Sequence, residues 1–188
     1  KIKGDYRLSI ECTQKAISIY VKTVGENHPN TSDAYDNLGN CYRIIANYKL
    51  ALFYHQKALA IRTAVFGNIH SSIATSYNHM SIVYAGLNDC MQEIAYQQKS
   101  LDMRLEIFGE MHYNTAINYN NLGTSYGNQG NYQLAVSYHQ KALDILLQNT
   151  NKHSAIIAKN YNNLAKNNCH LNNYEQAFTY YQLALQSV

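Results

Sequence analysis

The sequence predicts an all-α chain, an α-solenoid of about nine helices arranged in pairs. Two observations predict it. A repeat of 42 residues runs through the chain, and apolar residues within each repeat fall at helical spacing. Composition agrees: of 188 residues one is proline and nine are glycine, while 46% are hydrophobic, which suits long helices around a core better than a loop-rich chain.

The repeat is read from several series in register. Tyr35, Tyr77, Tyr119 and Tyr161 are spaced by 42, as are Tyr54, Tyr96, Tyr138 and Tyr180. Ile17, Leu59, Leu101, Leu143 and Leu185 keep a large aliphatic residue at one position, and Gly25, Gly67 and Gly109 follow the same period. His28, His70 and His112 do too, with His153 one residue early, so the last junction, at Asn149-Thr150-Asn151, is altered.

The elements follow in order. Residues 6–24 read as a lone second-type helix, so the chain opens with a half repeat over 1–25. Gly25 suits a helix end, because glycine takes positive φ without a Cβ clash. Pro29 suits a first turn, where its missing N–H is not needed. Tyr35, Leu38, Gly39 and Tyr42 then form one stripe of a first helix. Ala46-Asn47 breaks it, and Tyr48, Ala51, Tyr54, Ala58, Leu59 and Ile61 form a longer second helix that ends near Phe66-Gly67. The same reading gives four pairs, at 29–67, 71–109, 113–150 and 154–188, with turns at Asn88-Asp89, Gly130-Asn131 and Asn172-Asn173. Small residues at Gly39, Ser81, Gly123 and Ala165, and at Ala58, Ser100, Ala142 and Ala184, are expected to let paired helices approach closely. A helix pair cannot bury its apolar face alone, so neighbours stack. Two departures stand out. Glu93 replaces the alanine of Ala51, Ala135 and Ala177, beside Cys90 in place of tyrosine, and a local helix shift is expected there because a buried carboxylate is costly. Asn168 replaces the tyrosine of Tyr42, Tyr84 and Tyr126, which suggests a repeat near an array end. The chain begins with Lys1 inside a repeat and is expected to be a piece of a longer protein.

The run Tyr119-Asn120-Asn121-Leu122-Gly123, followed by Tyr126, Gly130, Tyr132, Ala135, Tyr138, Ala142 and Leu143, resembles a tetratricopeptide repeat. The longer period, with Phe108-Gly109-Glu110 and His112 at the junction, is similar to the arrays of kinesin light chains and their relatives. The resemblance implies a right-handed superhelix with a concave face, and a role in protein–protein interaction.

Composition narrows function. The formal charge is +3 with no run of Lys or Arg, which argues against nucleic acid. Charged residues are only 14%, so 23 asparagines supply much of the polarity. Cys12, Cys41, Cys90 and Cys169 are far apart with no C-x-x-C, so reduced thiols and a cytoplasmic setting, with the cytoskeleton or cilium as options, are expected. No apolar run of eighteen residues is present, so no membrane insertion is expected. No nucleophile elbow or phosphate-binding loop occurs, and the junction histidines stand a repeat apart, too far for a shared metal. The pairs Asp33/Asp36 and Asp102/Glu106 read as solvated helix faces. No enzyme, cofactor or metal is therefore expected.

By the resemblance, residues just before the first-helix leucine line the concave face. One series is Asn37, His79, Asn121 and Asn163; its neighbour is Asp36, Asn78, Asn120 and Asn162. One turn on come Asn40, Ile82, Thr124 and Lys166, with Arg43, Asn128 and His170 extending the face. A carboxamide donates and accepts, so it suits the backbone of an extended peptide of any sequence. The expected function is a scaffold or adaptor that takes a partner peptide or helix in this groove. The alternatives are a structural spacer in a cytoskeletal or ciliary assembly, and a sensor array of a larger signalling protein. Partner identity and oligomeric state are not encoded in these features.

Overall fold

A computed structural model describes residues 2–148 and 154–187, with side chains from residue 6 in the first stretch and from residue 155 in the second. The described residues form helices and turns, with no strand among them. They comprise α1 (Ile2–Thr23), α2 (Pro29–Ile44), α3 (Tyr48–Phe66), α4 (Ser71–Gly86), α5 (Cys90–Phe108), α6 (Tyr113–Asn128), α7 (Tyr132–Gln148), α8 (Ser154–His170) and α9 (Tyr174–Gln186). This is the all-α repeat fold that the 42-residue period implies. His153 and the altered junction at 149–151 lie outside the described residues. Among the described residues no helix is long and apolar enough to cross a membrane.

Local chemistry explains the boundaries. The junction histidines are helix N-caps: the Nδ1 atoms of His28, His70 and His112 accept from the backbone N–H of Asn30, Ser72 and Asn114 at 3.1, 3.2 and 3.1 Å. Each satisfies one of the donors that a helix start leaves without an intrahelical partner. His70 and His112 also stack on Phe66 and Phe108, with ring centroids 4.1 and 4.3 Å apart. The turn inside each pair places its first residue in the left-handed region: φ is 60° at Ala46, 57° at Asn88, 80° at Gly130 and 62° at Asn172. Glycine and asparagine adopt that conformation readily, whereas Ala46 bears a Cβ clash.

The chain divides into two compact units, Lys1–Met103 and Arg104–Val188. In the first, Leu38, Ala51, Ala58, Ile73, Ala74, Met80 and Val83 form the buried apolar set. In the second, Ala116, Leu122, Ala135, Ala142, Leu146, Leu164 and Ala165 do so. Tyrosines brace each pair in a three-ring stack. Tyr54 lies between Tyr35 and Tyr42 at 6.0 and 5.5 Å, and Tyr138 between Tyr119 and Tyr126 at 6.1 and 5.4 Å. Lys57 and Lys141 add cation–π contacts to Tyr35 and Tyr119 at 5.1 and 5.6 Å.

The small first-helix residues act as expected at two positions. A Cβ on Gly39 would sit 2.8 Å from the His55 ring, and one on Gly123 would sit 2.9 Å from the His139 ring. A buried imidazole thus fills the space each glycine leaves. The expected shift at Glu93 is not seen. α5 begins and ends 42 residues after α3, and Glu93 is buried inside a continuous helix. The Asp89 side chain accepts from the backbone N–H of Gln92 at 3.1 Å, which fixes the helix start one turn ahead of Glu93. Asn168, in a tyrosine's place, is buried. Its Nδ2 donates to the Leu164 carbonyl at 2.9 Å, and its Oδ1 accepts from Asn173 at 3.3 Å.

Candidate functional site

Within the repeats, polar residues on successive helices meet in buried clusters. In the first unit the centre is Asp36 on α2, which is 4% exposed. His55 Nδ1 on α3 is 2.7 Å from Asp36 Oδ1. Arg62, two turns further along the same face of α3, donates through one nitrogen to Asp36 Oδ2 and to Ser76 Oγ on α4, the latter at 2.6 Å. Its other terminal nitrogen donates to Asp33 Oδ1 at 2.7 Å. His79 on α4 brings Nδ1 to 3.3 Å from Asp36 Oδ2, and its ring centroid to 5.1 Å from that of His55. Asp36 is therefore not on a solvated face, as its spacing with Asp33 suggested. Burial alone would raise its carboxyl, but the imidazoles of His55 and His79 and the Arg62 charge outweigh burial and hold it well below the usual carboxylate range.

The second unit repeats the arrangement without charge. His139 on α7 is fully buried, with Nδ1 3.1 Å from both Asn120 Oδ1 on α6 and Asn160 Oδ1 on α8. Asn163 Nδ2 donates to Asn120 Oδ1 at 3.3 Å, and Asn160 Nδ2 donates to the His139 carbonyl at 3.1 Å. Burial lowers the His139 pKa to about 4; the Asn160 hydrogen bond opposes this, and the nearby Lys159 charge adds to it. Leu146 stands where the first unit has Arg62, and it is buried at 1% exposure.

This arrangement revises the expected amide ladder. Asn120 is buried and binds other side chains of the fold, Asn163 binds Asn120, and Asn78 receives Gln97 Nε2 at 3.4 Å. His79 faces Asp36. These residues join helices, because a polar group taken out of water must be satisfied within the protein. Asn37, Ile82, Thr124, Asn128, Asn162, Lys166 and His170 are exposed, while Asn40, Arg43 and Asn121 are half-buried. His170 stacks on Tyr132 with centroids 4.3 Å apart. Asn162 differs from Asn120 because its second-helix counterpart is Tyr181, where the others carry His55, Gln97 and His139.

The sequence reading missed Arg62, Ser76 and the convergence of Asp36, His55 and His79, whose ligand-type atoms lie within 4.8 Å of one another. The signal was a paired departure. Asp36 stands in a carboxamide series exactly where the following pair departs with His79 from another, and the two meet.

The first unit also has a cleft of about 390 Å³ between α1 and α2. Cys12, Thr13 and Tyr20 line it from α1, and Asn30, Asp33 and Asn37 from α2. Asn37 and the outer side of Asp33 are thus the predicted polar residues that open on a cavity. The second unit has a cleft of about 610 Å³ at the turn from Asn172 to Gln176, outside the predicted set.

The sequence profile described as "Tetratricopeptide repeat" matches residues 2–64 and 72–148. No curated protein matches the chain in sequence. Among solved structures, BtubC (BKLC) from P. vanneervenii superposes with a TM-score of 0.85 at 21% identity, over 98% of this chain and 74% of its own. A Podosopora anserina protein of nearly identical TPR-like repeats, described as a kinesin light chain, gives 0.76 at 15% identity, over 98% and 88%. The apo form of RapI gives 0.79 at 17% identity, over 98% of this chain and 49% of its own. At these identities the likeness is one of fold.

Proposed function

Since the chain belongs to the tetratricopeptide repeat family, we propose that it is a protein-interaction scaffold whose first unit takes an extended peptide in the cleft between α1 and α2. The observation that supports this most is the pairing of that cleft with exposed Asn37 and Asp33 over the small side chains Ala16 and Ala34. Carboxamides at a cleft edge bind peptide backbone in either sense, and alanines leave room for the main chain to lie close. Asp33 adds a negative charge that Arg62 only partly offsets, since its side chain is 66% exposed. A peptide with a basic residue at this point is favoured.

The test is selection of a phage-displayed random peptide library on the purified chain, followed by affinity measurement of enriched peptides. Asn37→Ala and Asn30→Ala are expected to weaken them about tenfold, the effect of one or two lost hydrogen bonds. A spacer role held by exposed apolar faces has its own support in α9, where Tyr174, Phe178 and Leu185 are 64%, 64% and 81% exposed. In that case enriched peptides would lose affinity with Phe178→Ala and keep it with Asn37→Ala, and the cleft reading would fail.

A further inference from the structure

We propose that Asp36, His55 and His79 form a binding site for a divalent transition-metal ion of the Zn²⁺ class. The three residues come from three successive helices, α2, α3 and α4, so the site is built by the stacking of two repeats. A tetrahedral zinc with bonds of 2.0–2.1 Å sets neighbouring ligand atoms about 3.3 Å apart. Here His79 Nδ1 lies 3.3 Å from Asp36 Oδ2, His55 Nδ1 lies 2.7 Å from Asp36 Oδ1, and all three ligand atoms fall within 4.8 Å. Two imidazoles and one carboxylate, with a fourth position open to water, are the donor set of Zn²⁺ and Co²⁺ sites.

One further observation fits a ligand role: His79 Nδ1 is buried and turned toward a carboxylate oxygen without an aligned hydrogen bond to it. Arg62 competes with a metal for Asp36 Oδ2, but it also holds that carboxylate in place, as outer-shell donors do around ligating carboxylates. For His55 Nδ1 to ligate, the neutral imidazole must carry its one proton on Nε2, so metal entry replaces the hydrogen bond between His55 Nδ1 and Asp36 Oδ1 without net loss of a proton. The second unit, with Asn120, Asn160 and Asn163 around His139, has one imidazole and no carboxylate at the matching positions and serves as the internal contrast.

The chain itself supplies conservative variants. His79→Asn places there the residue of Asn121 and Asn163, and His55→Gln places that of Gln97. Thermal melting of the 188-residue chain is measured with and without Zn²⁺. At free Zn²⁺ about 100-fold above its Kd, the wild type is expected to melt about 5–10 °C higher. Both variants are expected to lose that rise while melting cooperatively without metal. Co²⁺ should give the visible absorption of a four-coordinate ion in the wild type only. No rise in the wild type, or an equal rise in His79→Asn, would overturn the site, the second outcome assigning binding to surface histidines. Peptide selection and metal titration read different residues, so failure of either leaves the other standing.

Discussion

Arg62→Ala is expected to lower the stability of the first unit by about 3–5 kcal/mol, because it strands a buried carboxylate. Asp36 is 4% exposed and Arg62 5% exposed, so water cannot replace the lost guanidinium without opening the interface between α2, α3 and α4. His55 and His79 remain against Asp36 and offset only part of the charge. The cure is written in the other unit, where Asn120 and Leu146 occupy the same two repeat positions and are buried at 6% and 1% exposure. The double variant Asp36→Asn/Arg62→Leu is therefore expected to recover most of the loss, since a well-packed apolar and carboxamide pair often equals a buried ion pair. Urea unfolding of the wild type, Asp36→Asn, Arg62→Leu and the double variant gives the coupling directly. An Arg62→Ala loss below about 1 kcal/mol, near that of a solvent-exposed ion pair, would mean that the cluster is hydrated in solution.

His139 makes the second unit sensitive to mild acid. Burial lowers its pKa to about 4, whereas a histidine in the unfolded chain titrates near 6.5. The unfolded state therefore binds a proton that the folded state refuses across this window. Stability falls as pH drops from about 6.5 toward about 4, and the full loss is about 3 kcal/mol. Above pH 7 the group contributes no slope, because neither state is protonated. Asp36 has the opposite placement: its lowered carboxyl contributes stability that begins to be lost as pH falls through the ordinary carboxylate range near about 4, so it adds little to the difference measured at pH 4.5. Unfolding free energies measured at pH 7 and pH 4.5 check this. His139→Gln, which carries the residue of Gln97, should show a smaller difference between the two pH values than the wild type by about 2–3 kcal/mol.

Most of the fold was legible because helix periodicity, turn chemistry and caps all repeat at one spacing. Tyr48, Cys90, Tyr132 and Tyr174 begin the second helices within a residue or two of where the pattern placed them. The break residues Ala46, Asn88, Gly130 and Asn172 share a left-handed conformation, which one series in register could suggest. The site was less legible. A period of 42 says which residues are equivalent, but not which residues touch. Contacts such as His55 with Asp36 and His139 with Asn120 join positions 19 apart, and Arg62 with Asp36 joins positions 26 apart. Those offsets depend on how the helices cross, which hydrophobic spacing does not fix. Reading asparagine as the mark of an open groove thus placed Asn120 on the wrong side of its helix, while Asn37, one residue off the equivalent position, does face solvent. The expected shift at Glu93 failed because the Asp89 cap starts α5 at the position equivalent to the start of α3 and the helix runs on through Glu93.

The central claim is that the polar repeat positions divide into a buried set that joins helices and an exposed set that is free for a partner. Urea unfolding of Asn120→Ala and Asn37→Ala, measured side by side, tests that division most directly. Asn120→Ala should lose about 1–3 kcal/mol, because His139 Nδ1 and Asn163 Nδ2 lose a buried acceptor. Asn37→Ala should stay within about 0.5 kcal/mol of the wild type, as surface changes do. Equal losses at the two positions, or a larger loss at Asn37, would contradict the account.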